Sequence, residues 1–224
     1  MSATLLDHEQ EVHRYFHEFI VDEKHPCVLA QTVFQLDRAH INVYDTMNNV
    51  MTSQQLLNDL NTYVNNYDFG SRDFESFVAV FIDESTESEE DYEQKLWSQL
   101  QLLHDLDECD WDVTVSADPS DPHFSFSLCG KAFFIVGMHP KASRKSRQTK
   151  YVTIVFNLHA QFELLRKMNV YDRVKSRIRK RDAALQGNIN PVLQDFGTSS
   201  EALQYSGRHI DASWKCPFLS KAKA

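Results

Sequence analysis

Three short apolar runs constrain this chain more than any other feature: FVAVFI (77–82), AFFIVGM (132–138) and YVTIVF (151–156). Compact runs of β-branched and aromatic residues bounded by turn formers read as strands, since they are too short for buried helices. FSFSL (124–128) alternates apolar and polar residues, and Cys129-Gly130-Lys131 can reverse it into AFFIVGM. That pairing is a hairpin signal, so at least part of the sheet runs antiparallel.

Helical spacing fills much of the remainder. Val12, Tyr15, Phe16, Phe19 and Ile20 share one face of a helix expected over 4–23, which HPC (25–27) interrupts. Leu56, Leu57, Leu60, Tyr63 and Val64 mark a second helix over 52–67. Ser88 and Asp91 are spaced for a capping box opening a third, whose buried side carries Tyr92, Leu96, Leu100 and Leu103. Asn157 is read as the cap of the helix LHAQFELLRKM, and Gly187 as the stop of another over 172–186. The expected architecture is a single α+β domain over 1–224, a mainly antiparallel central sheet flanked by helices.

Charge is unevenly spread. Residues 141–181 hold 13 lysines and arginines against Glu163 and Asp172, which leaves 10 basic and 30 acidic residues elsewhere. An anionic ligand near the basic segment, or a polyanion outside it, would suit that split. Along the basic helix from Arg173 to Arg181 aromatics are sparse, with Tyr171 alone beside it, and the acidic remainder repels phosphates, so nucleic acid is the weaker partner. No apolar run approaches the roughly 20 residues of a membrane span, and the polar N-terminus lacks a signal-peptide core. Four scattered cysteines without a CxxC pair fit reduced thiols and a cytoplasmic location. His8-Glu9 followed by His13 lacks the spacing of a zinc protease, and Walker, GxGxxG, GxSxG and calcium-loop motifs are missing.

His139 ends the apolar run, with Pro140 sending the chain away and Arg144 and Arg147 following within a loop's reach. An imidazole beside guanidiniums suits haem, whose iron takes a nitrogen ligand and whose two propionates take cations. The plainer alternative is a strand-end histidine bonded to backbone. His159 sits in the first turn of its helix, where the dipole favours the neutral imidazole. Both histidines are expected to end adjacent strands and face one pocket. Cys216 in KCPF and Cys27 in HPCV are the thiolate candidates.

VGMHPKASRKSR, VFNLHAQFELLRK and IRKRDAALQGNINPVLQDFG…SEALQYSGR…CPF, in that order, resemble the YqcI/YcgG family. HPCVLA is similar to the family's FPC block, although His25 stands where Phe is expected and takes no family role. The resemblance implies haem b as cofactor and dioxygen as co-substrate. It also implies an enzyme that hydroxylates a side-chain nitrogen of arginine, lysine or a derivative, with electrons from a reductase. On that basis His139 would be the axial ligand, with His159 and Cys216 as runners-up, and Arg144 and Arg147 would hold the propionates. His159 doubles as a distal catalytic group. Among carboxylates in the matched blocks (Glu163, Asp182, Asp195, Glu201), Glu201 is chosen for the substrate's basic end and Arg208 for its carboxylate. A haem sensor or carrier without turnover is the alternative, nucleic-acid binding through 141–181 a lesser one. Exposed aromatics could support a homodimer.

Overall fold

The computed structural model describes residues 3–188, 196–211 and 213–220. In chain order its elements are α1 (Ala3–His17), α2 (Val28–Gln35), β1 (Ala39–Tyr44), α3 (Val50–Asn66), β2 (Ser76–Phe81), α4 (Glu89–Leu106), β3 (Phe126–Leu128), β4 (Lys131–Met138), β5 (Val152–Leu158), α5 (His159–Lys167) and α6 (Tyr171–Gln186). A π-helical turn (Glu18–Asp22) follows α1, and 3-10 turns lie at Lys145–Arg147 and Glu201–Gln204.

The five strands form one sheet in the order β1-β2-β5-β4-β3. Pairing is antiparallel from β2 through β5 and β4 to β3, while β1 lies parallel to β2. The sheet is therefore mixed, because α3 carries the chain back from the end of β1 to the start of β2, the crossover that a parallel pair requires. The α+β class stands. The expected hairpin is present, with Cys129 and Gly130 at φ 53° and 70° between the paired Leu128 and Lys131. Two consecutive positive φ values match the right-handed strand twist, and the Cys129 N–H is held by Asp107 Oδ2 at 2.8 Å.

Both faces of the sheet are covered over β2, β4 and β5, which explains why those strand sequences are largely apolar. On one face Phe77, Ala79, Phe81, Ile135, Ile154 and Phe156 pack against leucines of α3 and α4. The other face offers Val78, Val80 and Met138 to Val12 and Phe16 of α1. Gly137 of β4 is dictated by the first face: a Cβ there would lie 2.5 Å from the Tyr92 hydroxyl and 2.9 Å from the Tyr205 carbonyl. Tyr92 needs that space because its hydroxyl donates to the Thr153 carbonyl at 2.9 Å.

Four local expectations change. The first helix stops being α-helical at His17 and gains the π turn before the chain breaks at Lys24, which has positive φ. Asn157 is a strand residue, not a cap; its carbonyl accepts from Ser76 Oγ (2.7 Å) and its amide donates to Phe134 O (3.3 Å). At the third helix Ser88 caps the Asp91 N–H, but Asp91 accepts from Glu87 N–H rather than completing the box. Finally, α2 and β1 carry weak patterns and escape a reading by periodicity. No helix of the described residues is long and apolar enough to cross a membrane.

Candidate functional site

Alternation along β4 sends Phe134, Val136 and Met138 to the second face of the sheet, together with Val78 and Val155 from the neighbouring strands. The π turn, α2, α5 and α6 lean over that face without closing on it. Between them lies a cavity of about 280 Å³, near the lower end of the range for small-molecule sites. Its floor is apolar and its two ends are polar, with opposite character.

The end beside Met138 is cationic. Arg144 is buried and pairs with Asp182 of α6; its Nη1 donates to Asn188 Oδ1 at 3.1 Å, and its Nε has no partner among the described residues. Arg147 donates to three main-chain carbonyls, Gly137 at 2.9 Å and Tyr205 and Gln204 at 3.3 Å, and pairs with no carboxylate among the described residues. Burial lowers its pKa to about 10, so the guanidinium keeps its charge at neutral pH. His25 lines the same end. The Cys27 N–H donates to its Nδ1 at 3.2 Å, which leaves the proton on Nε2 to be donated to the Ser146 carbonyl at 2.9 Å. Burial drops its pKa to about 4, so this ring is neutral. Beside it, Cys27 caps α2, its Sγ accepting from the Ala30 N–H at 3.5 Å.

The opposite end carries carboxylates. Glu75, Asn157, Gln161 and Glu201 meet there, near the start of β4 and the end of β5. Glu201 is 5% exposed, and desolvation raises its carboxyl to about 8, against the pull of the Ser125 hydroxyl and Arg166. His159 stands behind it, buried, with Nδ1 3.8 Å from Glu201 Oε1 and Nε2 3.3 Å from Glu163 Oε1. Burial lowers the His159 pKa despite the Glu163 charge. Glu163 is more than a third exposed and also pairs with Arg166.

The structure thus unites Arg144, Arg147 and Glu201 on one cavity and sets His159 against Glu201. It separates the rest. Because β4 and β5 are antiparallel with Met138 opposite Thr153, His139 and His159 fall at opposite ends of the sheet, about seven strand residues or roughly 20 Å apart. They do not share a pocket. His139 also points to the first face, where its ring stacks on Tyr92 with centroids 4.2 Å apart. The axial role expected of it loses its geometric basis, since the guanidiniums line the cavity on the other face. Its Nδ1 lacks a hydrogen-bond partner among the described residues, and burial lowers its pKa to about 4.

Cys216 packs against the first-face core, where burial raises its thiol to about 12. Arg208 is saturated by Glu93, with contacts of 2.7 and 3.2 Å, and lies 3.5 Å from Glu90. Glu93 also accepts from Ser206 Oγ and Trp214 Nε1, so this cluster fastens the C-terminal segment to α4, and Arg208 is not among the residues that line the cavity. Asp195 lies outside the described residues. The basic residues of α6 are divided: Arg173, Arg177 and Lys180 are exposed, Lys175 and Arg179 line the cavity, and Arg181 donates to Gln31 Oε1 and Lys24 O.

The sequence matches the YqcI/YcgG family over residues 16–219. The chain belongs to this family. A relative from Bacillus subtilis (strain 168), described as uncharacterized protein YqcI, is 27% identical over 234 residues, covering 98% of this chain and 91% of the relative. No solved structure matches. The family span takes in every cavity element from Phe16 of α1 to Gln204, including the HPC segment. Glu75 is a cavity residue that motif reading passed over, and His25 is one that it left without a role. The available signal was the HPC break itself: proline followed by a capping residue marks a helix entrance, and a helix entrance beside a sheet is where ligands are met.

Proposed function

We propose that the chain is a haem-dependent N-oxygenase acting on the side-chain nitrogen of a basic amino acid or derivative. The observation that carries this reading is Arg147, a half-buried guanidinium on an apolar cavity, bonded among the described residues only to main-chain carbonyls. A buried cation without a counter-charge is costly, and a carboxylate entering the cavity would offset that cost. Haem b fits the donor set: a flat apolar ring for the valine-rich floor, and acid arms for Arg147 and the unpartnered Nε of Arg144. When bound, haem supplies activation of dioxygen with electrons from a partner reductase.

The chain's own contribution lies at the acidic end. A protonated amine or guanidine has no lone pair to offer, so its proton must be removed near the reacting atom. Glu201, held near pH 8 and lining the cavity, accepts that proton while its ionised form grips the cationic group. His159 is neutral and close enough to stabilise the resulting charge distribution, and Glu163 links it toward solvent. Exclusion of water by Phe134, Phe162 and Leu165 strengthens each of these interactions.

The test is reconstitution with hemin followed by incubation with arginine, lysine and their derivatives under reducing conditions in air. An intense Soret band, at least tenfold weaker hemin affinity in Arg147→Gln, and hydroxylated product support the reading. A wild-type preparation that remains colourless through a hemin titration overturns it. Bound haem with no N-oxygenated product from any basic amino acid makes the protein a haem carrier or sensor instead.

A further inference from the structure

We infer that the thiolate of Cys27 is the protein's ligand to the haem iron, an inference that rests on the haem assignment above. Side chains able to ligate haem iron are His, Cys, Met and Tyr. The described cavity wall offers one of each: His25, Cys27, Met138 and Tyr171.

Three of them are poorly disposed. His25 has both ring nitrogens engaged. With Nδ1 accepting the Cys27 N–H, the proton must sit on Nε2, and that proton is already given to the Ser146 carbonyl. Ligation through either nitrogen would break a bond to buried backbone. Met138 is a weak neutral donor, 4% exposed in the sheet floor and packed in the α1 core. Tyr171 belongs to the opposite end of the cavity, where Arg166 lies 4.3 Å from its ring centre and also over Phe196, away from Arg144 and Arg147.

Cys27 has the surroundings a metal-bound thiolate requires. It caps the eight-residue α2, so the positive end of the helix dipole and the Ala30 N–H converge on Sγ. Pro26 fixes the approach of the chain and donates no competing N–H. Arg147, unpaired by any described carboxylate, and Arg181 lie close enough to favour a negative sulfur. Without metal, burial outweighs these terms and the group rests as a thiol. Ligation changes the balance: the Sγ–H proton leaves to solvent as the Sγ–Fe bond forms, with no change of oxidation state. The acid arms then reach for Arg144 and Arg147, which line the same end as Cys27. Thiolate ligation is also the arrangement that pushes electron density toward bound oxygen and favours O–O cleavage, as an oxygenase needs.

The experiment uses the full-length protein titrated with hemin, read by the ferrous–CO Soret band and by electron paramagnetic resonance of the ferric form. Wild type is expected to give the strongly red-shifted CO band of thiolate ligation. Cys27→Ser is expected to lose that band and at least tenfold of the hemin affinity, while Cys216→Ser and His139→Phe keep both. Melting of the Cys27→Ser apoprotein within a few degrees of wild type shows that loss of the band is not unfolding. Should that variant not fold, Cys27→His serves instead, with an imidazole-type band expected in place of the thiolate one. Hemin bound with an imidazole-type band in wild type, or a thiolate band that survives Cys27→Ser, overturns the ligand and leaves the haem reading standing. Failure of wild type to bind hemin ends both.

Discussion

Replacing Glu201 by Gln isolates the group on which the proton chemistry turns. The carboxyl is 5% exposed, and its folded value of about 8 stands well above the ordinary 4.5. A carboxyl raised on folding binds its proton more tightly in the native state, so it subtracts stability as pH rises from 4.5 toward 8. At about 1.4 kcal/mol per tenfold, the loss from this group grows by about 3 kcal/mol between pH 5.5 and pH 8. Glutamine keeps the shape and still accepts from the Tyr205 hydroxyl, which lies 3.4 Å from Glu201 Oε2, but it does not ionise. The stability of Glu201→Gln relative to wild type should therefore rise by about 3 kcal/mol across that interval. For a chain of this length that is about 6–12 °C in Tm. Thermal melts of both proteins at pH 5.5, 6.5, 7.25 and 8 measure it, and taking the difference cancels every other titrating group. If the two curves run parallel from pH 5.5 to 8, the proton affinity of the carboxyl is not raised by burial, and its strength as a base near neutrality fails with it.

Two other substitutions probe the surroundings of the site. Gly137→Ala forces a methyl into the Tyr92 hydroxyl and the Tyr205 carbonyl, and should cost about 1–3 kcal/mol, read as a lower urea midpoint at unchanged slope. Arg208→Ala strands the buried Glu93 and should cost about 3 kcal/mol in denaturant unfolding, while hemin affinity stays within about twofold of wild type. Lost ligand affinity at unchanged stability would instead make Arg208 a binding residue.

Periodicity and turn chemistry made the central elements legible before any coordinates. The buried strands, the Cys129-Gly130 reversal, the faces of α3 and α4 and the Gly187 stop of α6 each depend on neighbours a few residues away, and such signals survive in one dimension. Asn157 shows the limit. It is a good cap by type, yet β5 continues through it because Ser76 and Phe134 on flanking strands satisfy its amide. Strand β1 shows another: only its last residue, Tyr44, is fully buried, so its sequence hardly alternates, and its parallel pairing depends on a partner 37 positions away.

What the sequence determined by itself was the family, the α+β class and the presence of a basic segment able to meet an anion. Arg144, Arg147 and Glu201 could be named from their motifs because those motifs are contiguous. Which face each side chain takes was decided by the tertiary structure alone. One residue of strand reverses a side chain's direction, so Met138 meets the cavity while His139 turns to Tyr92. Antiparallel pairing then carries the ends of β4 and β5 to opposite edges, and only the packed helices bring Cys27 beside a guanidinium 120 residues further along the chain.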